Sequence, residues 1–450
     1  PRRQRQMFIR DRHNTWFFND AWSLTNRLYY IEGEGYYENF KEDANAAAYA
    51  LDVKPDVEPD DELDLIRQKW VRKKHLGWVP GLNWEQGVGR LLIGGDWYTF
   101  ESDHWGDVLW AEGYAPGDFL PQFKYHQYNG EKDAWSAYAN QRLNVTDGLI
   151  ITADVHYQHK KYRFKQNEVG NFNGTDRHAY TVKYDFFNPK GSINWEAPGQ
   201  VAGGSLALYG TAGINHREPT DNEQFDTWQS GSDLGAKPQF RNSTEVLKPD
   251  GTVDWVEWSD PYVQPERVVD YEVGLGWQAR SLSFTLGGYW MDFQDEIVSY
   301  GGVNEDGSSI RGNAEETRHK GIELGLRARI NDSNNLTLAA SRSWDEFITF
   351  YQYLDTDWDG TADTVVDNSG NPISLFPEHL LEAGWETLWN GSVRSRIRVR
   401  NTGKQYLDNT GNEDRTIDSW TTVDLSLWFD LGAMGWRAMD GASLLSLIHI

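Results

Sequence analysis

One stretch of the chain has the residue spacing of a calcium-binding loop. Oxygen-bearing side chains alternate along it, and a glycine permits the sharp turn that a hard cation site needs. The residues at the ligand positions are Asp355, Asp357, Asp359, Thr361 and Asp363. Position 12 of such a loop normally supplies a bidentate glutamate, but Val366 stands there, so the site would be open or completed elsewhere. We predict a structural calcium that orders this loop, with an acidic surface loop of chance spacing as the alternative.

Other residue types that carry chemistry form no catalytic constellation. His156 and His159 are three residues apart on a predicted strand, so they face opposite sides and do not make a metal pair. The chain has no cysteine, which excludes thiol chemistry and disulfides. No glycine-rich turn connects a strand to a helix in the way that a phosphate-binding loop requires. We predict that the protein is not an enzyme and requires no cofactor; a hydrolase is the alternative, but no Ser/His/Asp spacing supports it.

The composition is acidic and rich in aromatic residues. Among 450 residues the formal net charge is −25, and 68 acidic residues face 43 basic ones. Nucleic-acid binding calls for clustered Lys and Arg, so we expect no nucleic-acid partner. The acidic balance also argues against a strongly anionic ligand. The 22 Trp, 22 Tyr and 19 Phe exclude a disordered acidic chain and suit the aromatic girdles of a membrane β-barrel.

The elements that must position these residues are strands of period two. Apolar residues alternate with polar ones along 271–277, 282–286, 322–330 and 423–429. We predict strands of about ten residues, which is long enough to cross a bilayer at a tilt. Short and long connections take turns between them, as in outer-membrane barrels. The long connections are predicted at 165–178, 218–266, 301–318, 346–377 and 402–419, and the count is about fifteen or sixteen strands.

One hairpin can be placed in register from the sequence. A three-residue turn at 390–392 brings the apolar Trp385 opposite Ile397, whereas a slip by one residue would mix both faces. The same register pairs Glu386 with Arg396 and Glu382 with Arg400. Arginine on the lipid face would cost roughly 2–4 kcal/mol near the midplane, so we predict that the charged face lines the lumen. The predicted lumen-facing residues are Glu323, Arg327, Glu382, Glu386, Arg394, Arg396, Arg398 and Arg400.

Short sequence motifs then occur in an order that resembles a known family. They are Asn26–Tyr29, Glu32–Glu38, Asp64–Trp70, His104–Gly106, Asn188–Lys190, His216–Thr220, Pro265–Glu272, Tyr289–Phe293, Lys320–Glu323 and Tyr406–Asn409. Over residues 13–432 the chain resembles the β-barrel of TonB-dependent receptors. The resemblance implies an all-β fold, a transmembrane antiparallel barrel of 22 strands with long extracellular loops. It also implies an N-terminal plug domain and import driven by the TonB complex through a motif ahead of that plug.

The ends of the chain depart from the family pattern. Residues 1–12 and 443–450 fit neither neighbouring strand, and we interpret them as a non-native leader and tail. Residues 13–442 are then expected to form part of the barrel, with the plug domain, the TonB-binding motif and a signal peptide absent.

The resemblance implies a receptor of the bacterial outer membrane, surrounded by lipid, that imports a scarce nutrient with TonB-derived energy. Siderophore, cobalamin, haem, glycan and peptide all stay open as ligands. Aromatic residues of the long loops could stack on a ring of the ligand, or could only pack the loops together. These residues are Trp228, Trp255, Trp258, Tyr300, Tyr351, Tyr353 and Trp358. The alternatives are a passive porin-like channel without a plug and a surface β-protein with an adhesive role.

Overall fold

The computed structural model describes residues 2–52, 56–115, 124–169, 177–224, 238–303, 309–354, 363–434 and 443–449. About three quarters of these residues belong to β-strands, and two short 3-10 turns lie at Ala47–Tyr49 and Asp221–Glu223. The described residues include no helix with the length and apolar content to cross a membrane.

Sixteen strands form one continuous antiparallel meander, in which each strand pairs with the next along it. They are β1 (Arg2–Phe17), β2 (Trp22–Asn45), β3 (Glu62–Gln86), β4 (Gly89–Ala111), β5 (Lys124–Thr146), β6 (Leu149–Glu168), β7 (His178–Glu196), β8 (Ser205–Arg217), β11 (Glu266–Gln278), β12 (Leu282–Val303), β13 (Ser309–Arg329), β14 (Asn334–Thr349), β17 (His379–Asn390), β18 (Val393–Thr402), β21 (Trp420–Asp430) and β22 (Ser443–His449). Among the described residues, β1 and β22 pair with β2 and β21 only.

Six further strands form three hairpins in the long connections. They are β9 (Phe240–Leu247) with β10 (Val253–Pro261), β15 (Tyr351–Leu354) with β16 (Thr364–Asp367), and β19 (Gln405–Tyr406) with β20 (Thr416–Ile417). The first of these hairpins also joins the wall, because Val256–Trp258 pairs in parallel with His178–Tyr180 of β7. The described parts of these three connections therefore contain hairpins, and all three connections follow strands that run in the same direction.

Cross-strand pairing separates the two faces of the wall. Partner residues Leu208, Leu275, Leu286, Leu324 and Ala340 follow one another across β8, β11, β12, β13 and β14, so their side chains share the outward face. Large apolar side chains on this outward face are exposed and are not covered by other parts of the protein. Such a surface is suited to lipid, and its alternation with polar inward positions is the pattern of a membrane barrel.

A belt of aromatic side chains forms the edge of the apolar face that is nearest to the long connections. Trp78, Trp97 and Trp135 are successive cross-strand partners, and the rings of Trp135 and Tyr157 lie 5.3 Å apart. From Leu143, at the turn end of β5, to Trp135 the strand rises roughly 26 Å at the usual spacing per residue. That length matches the apolar band of outer-membrane barrels, about 25 Å tall, and the belt marks its outer boundary.

Buried apolar clusters lie where the loop-side ends of the strands meet their connections. The first contains Tyr49, Leu51, Leu65 and Tyr125, and the second stacks Phe164 on Tyr180. The third packs Phe347, Phe350 and Ile373 beneath the connection after β14. These clusters pack the described parts of the connections against the wall.

Glycines within the strands make room for tyrosine rings of neighbouring strands. A Cβ atom at Gly321 would lie 2.6 Å from Cζ of Tyr289, and Gly77 lies in the same way under the ring of Tyr29. The tyrosines therefore lie flat against the wall, and a larger residue in place of either glycine would displace the ring.

The fold is the antiparallel β-barrel that the sequence predicts, but three expectations about its parts are wrong. The strands reach 25 residues in β3 and extend well beyond a membrane-spanning length. Residues 2–17 form one strand paired with β2 throughout, so segment 1–12 is continuous with its neighbour; likewise 443–449 pairs with β21. Most of the predicted long loop 301–318 belongs to β12 and β13. The non-native origin of the two end segments stays a prediction.

Candidate functional site

A large cavity opens on the inward face of the wall, between β1–β7 and the segment that follows β8. Its volume is about 1350 Å³. It is larger than an ordinary small-molecule pocket, which measures about 300–1000 Å³. Alternate residues of successive strands face it, such as Lys73 on β3, Ser102 on β4 and Lys132 on β5.

The lining combines cationic and aromatic side chains. The basic residues are Arg5, Lys69, Lys73, Lys132, Lys160 and Arg217, against the acidic Glu34, Glu218 and Asp221. Of these three residues, Glu34 directs its carboxylate to the outward face, where it pairs with Arg72 at 2.6 Å, and Glu218 is held by two lysines. Rings of Tyr37, Phe100, Tyr128, Tyr162 and Tyr184 border the same space. In a chain of net charge −25, the cavity carries an excess of positive charge.

Glu218 connects the cavity wall to the long connection after β8. Its two carboxylate oxygens accept hydrogen bonds from Nζ of Lys132 at 2.6 Å and Nζ of Lys160 at 2.7 Å. Burial raises the pKa of the Glu218 carboxyl, but the hydrogen bonds from the two lysines outweigh it and hold the pKa at about 2. The carboxylate is therefore charged at any physiological pH, and the segment that begins there is fixed to β5 and β6.

The residues after Glu218 turn inward in a capped 3-10 turn. The backbone N–H of Thr220 donates to Oε2 of Glu223 at 2.8 Å, and the Thr220 side chain caps the turn in return. Arg217 pairs with Glu266 at 2.9 Å, which joins the two ends of this connection at β8 and β11. Residues 218–221 thereby form part of the cavity wall.

The described aromatic residues that the sequence singles out as ligand candidates lie outside this cavity. Trp255 lies beneath the ammonium of Lys165, 3.8 Å from the ring centroid, and Nε1 of Trp258 donates to His178 at 3.1 Å. The Tyr300 hydroxyl donates to the Asn313 carbonyl at 3.1 Å, and its ring packs on a phenylalanine. These contacts are typical of loop packing.

Tyr351 and Tyr353 stand on hairpin β15–β16, with 41% and 64% of their surface exposed. Trp228 and Trp358 lie outside the described residues. A ligand-binding role for any of the seven aromatic residues stays a prediction.

The predicted register of hairpin β17–β18 is confirmed. Trp385 is the partner of Ile397, Glu386 of Arg396, and Glu382 of Arg400. The turn differs from the prediction, because Asn390 pairs with Val393 after a bulge at position 389, and only residues 391–392 connect the strands.

The charged face of this hairpin is opposite to its exposed apolar face, and cross-strand pairing places Glu323 and Arg327 on the same side. The inward residues in question are Glu323, Arg327, Glu382, Glu386, Arg394, Arg396, Arg398 and Arg400. The ion-pair partners of these side chains differ from their cross-strand partners in the register. Arg400 pairs with Asp424 of β21 at 2.8 Å, while Glu382 lies 3.7 Å from Arg398. That these residues line a transport path stays a prediction.

The predicted calcium loop falls largely outside the described residues. Asp355, Asp357, Asp359 and Thr361 lie there, and Asp363 is an exposed residue just before β16. Among the described ranges, no group of three or more His, Asp or Glu residues is arranged to hold a metal ion. Calcium binding stays a prediction.

Sequence reasoning missed the residues that build the cavity. Lys132 and Lys160 lie on the adjacent strands β5 and β6, but Glu218 belongs to the segment after β8, and only the folding of that segment against the two strands brings it to the lysines. The available signal was the run of inward-facing lysines and tyrosines in the loop-side halves of β3 to β7, beyond the membrane-spanning length.

Comparison with known proteins agrees with this geometry. A family model described as "TonB dependent receptor-like, beta-barrel" matches residues 1–444. No curated protein sequence matches the chain. The siderophore receptor PiuA from Acinetobacter baumannii is similar in structure, with a TM-score of 0.60 and 13% identity over 95% of this chain and 58% of PiuA.

Two other solved structures give the same result. The ferric yersiniabactin uptake receptor FyuA from Yersinia pestis has a TM-score of 0.57 and 12% identity over 95% of this chain and 54% of FyuA. The copper transporter OprC has a TM-score of 0.58 and 15% identity over 94% and 57%. The chain thus spans little more than half the length of these structures, and the likeness shows their fold. With its 444 matched residues, the chain belongs to the TonB-dependent receptor-like β-barrel family of the bacterial outer membrane.

Proposed function

We propose that the protein imports a scarce small-molecule nutrient across the outer membrane, with energy from the TonB complex. The observation that carries this proposal is the cavity of about 1350 Å³ on the inward face of the barrel wall. A concave site with a few converging polar groups is the usual form of a small-molecule site. Family membership supports the TonB partner.

The lining favours an anionic ligand that carries rings. Ammonium groups of Lys69 and Lys73 face the space, and Lys73 makes no ion pair within the described part of the chain. Tyrosine and phenylalanine rings beside them offer stacking surfaces. The acidic composition of the whole chain argues against an anionic ligand. A ligand in the cavity, however, responds to the charges that line it, and basic side chains outnumber acidic ones there.

A neighbouring pair of lysines allows a matched test of the ligand. Lys73 faces the cavity, and Lys74 lies on the outward face of the same strand. For the full-length receptor in outer-membrane vesicles, we expect Lys73→Gln to weaken binding of anionic ferric chelates roughly fivefold, as loss of one charged contact would. Lys74→Gln should leave it unchanged. Equal effects of both variants, or equal binding of cationic chelates, would contradict the ligand class.

Energy coupling is tested separately, in whole cells. We expect uptake of the bound ligand to stop when TonB is deleted, while binding to the cell surface persists. Uptake that continues without TonB and rises linearly with ligand concentration would identify a passive channel instead.

A further inference from the structure

One stretch of the barrel wall has a partner strand on one side only. Residues 181–189 of β7 pair with β6 alone within the described part of the chain. On either side of this stretch β7 has a second partner, which is β8 at 190–196 and β10 at 178–180. Pro189, which has no backbone N–H to donate, stands where the pairing with β8 ends. The wall therefore has a gap between β7 and β8.

Backbone groups of β7 point into this gap. The Arg177 carbonyl, just before β7, accepts a hydrogen bond from β10 at 2.7 Å, and the Ala197 N–H, just after β7, donates to β8 at 2.9 Å. Because backbone direction alternates along a strand, the odd-numbered residues of β7 face this side. Those of the gap that carry an N–H are Thr181, Lys183, Asp185 and Phe187. Their backbone N–H and C=O groups have no hydrogen-bond partner among the described residues.

Elsewhere in the wall a similar gap is closed by the chain itself. β14 extends past its pairing with β17. There the Ser343 N–H donates to the Glu378 carbonyl at 3.1 Å, and the Ile373 N–H donates to the Asp345 carbonyl at 3.0 Å. The segment before β17 thereby completes the pairing of β14. Within the described ranges, the free edge of β7 has no such segment beside it.

The gap adjoins the cavity. Val182 and Tyr184, on the inward side of the unpaired stretch, line the cavity, and so do residues 217–221 across the gap. Asp185 is level with Trp135 of the aromatic belt, because both pair with the same residue of β6. At this depth, unpaired backbone groups are tolerated only where they line a water-filled cavity. The free edge is therefore accessible from the cavity.

We propose that this free edge binds an extended peptide segment of the imported ligand as an added strand. Alternate backbone donors and acceptors are complementary to another extended peptide backbone, which supplies the missing hydrogen bonds. Side chains on one face of the added strand would point into the cavity, where Tyr184 and the lysines favour aromatic and acidic residues. The inference rests on the proposed import function and specifies its ligand class.

Side chains limit the site at its membrane end. The ring of His216 stacks on Phe186 with the centroids 5.2 Å apart, and its Nδ1 lies 2.8 Å from Oδ1 of Asn188. These contacts bridge β8 and β7 just above their last backbone pair. An added strand is therefore expected along residues 181–185, where the banks of the gap are not bridged in this way.

The test is hydrogen exchange of the detergent-solubilised full-length receptor, followed by mass spectrometry. The probe is a short end-blocked peptide in which glutamate and tyrosine alternate with threonine. Without peptide, we expect residues 181–187 to exchange faster than residues 190–196, which pair on both sides. Saturating peptide should slow exchange at 181–187 at least about tenfold and leave 190–196 unchanged.

One position of β7 gives a matched pair of variants. Lys183→Pro removes a gap-facing N–H and should weaken peptide binding roughly fivefold, as loss of one hydrogen bond predicts. Lys183→Gln changes the side chain but keeps that N–H, so its affinity should equal that of the wild type. Unchanged heat-modifiable gel mobility shows that the barrel of each variant is folded.

Modified peptides test the same contact on the wild-type receptor. N-methylation of alternate residues removes either the donors that face β7 or those that face away, so the two methylated peptides should differ in affinity. Equal binding of both would overturn the inference, and so would slow exchange at 181–187 before peptide is added. Failure of the peptide to bind would also overturn it. Binding of anionic ferric chelates to the same preparation would then show that the proposed function stands, whereas loss of both would contradict that function too.

Discussion

Nζ of Lys132 lies 2.6 Å from Oε1 of Glu218, and this contact ties the loop-side half of β5 to the start of the longest connection. The two residues are 86 positions apart in the chain. Lys160 completes the clamp from the adjacent strand. Because Glu218 lies at the cavity, the clamp fixes the start of the connection after β8 against the cavity wall, and so it shapes the site.

Acid is expected to open this clamp. The pKa of Glu218 is lowered from its ordinary 4.5 to about 2, so its stabilising contribution is fully present above pH 4.5 and is lost as the pH falls toward 2. We expect hydrogen exchange at residues 218–224 to accelerate across that interval. Glu218→Gln should show the fast exchange already at pH 7, with local stability reduced by about 1–3 kcal/mol.

Glu413→Gln provides the control for the clamp. Glu413 also accepts hydrogen bonds from a lysine, Lys404 at 2.8 Å, but it is exposed in a different connection. Its substitution should leave exchange at residues 218–224 unchanged. An acid response of this segment that survives in Glu218→Gln would show that another group controls it.

The two faces of the wall are expected to respond differently to the same substitution. Ala340 points outward between Leu324 and Leu381, and Ser341 points inward beside Glu323. Ala340→Arg should destabilise the barrel by about 2–4 kcal/mol, because it places a charge in lipid near the midplane. Ser341→Arg should cost much less. Urea unfolding in lipid vesicles, followed by tryptophan fluorescence, measures both, and equal losses would contradict the assignment of faces.

The predicted calcium loop can be tested by metal titration. Because Val366 replaces the bidentate glutamate, we expect weak binding, with a Kd of about 10⁻⁴–10⁻³ M. Terbium in place of calcium should show luminescence sensitised by the neighbouring Trp358, and Asp357→Asn with Asp359→Asn should abolish it. Asp332→Asn, in an exposed turn at the other end of the strands, serves as control. A signal that persists in the loop variant would place the ion elsewhere.

The sequence predicted the features that alternation determines. The register of Trp385 against Ile397 follows because only one register keeps an apolar face continuous, and the structure has that register. Residues 2–12 have no such alternation, yet they pair with β2, since backbone hydrogen bonds need no side-chain pattern.

The cavity could not be predicted in the same way. Its walls come from residues far apart in the sequence, such as Lys73 and Glu218, and their approach depends on how the sheet curves. The sequence predicts only a long connection at 218–266, but its described part contains hairpin β9–β10, whose Val256–Trp258 pairs with β7. Short strands inside a long connection carry too little periodicity to be recognised.

A buried ion cluster at the loop side of β12–β14 gives the last prediction. Nδ1 of His319 lies 2.7 Å from Asp345 and Nε2 lies 3.1 Å from Glu296, so both ring nitrogens must carry protons for both hydrogen bonds to form. His319→Leu would leave two carboxylates facing each other without a cation, and we expect the barrel to lose about 3–5 kcal/mol. Glu346→Gln removes the more exposed pair with Lys320 and should cost under about 1 kcal/mol. Urea unfolding in vesicles measures the free energy of unfolding of both variants. Similar decreases for the two would show that burial does not increase the contribution of the His319 cluster to stability.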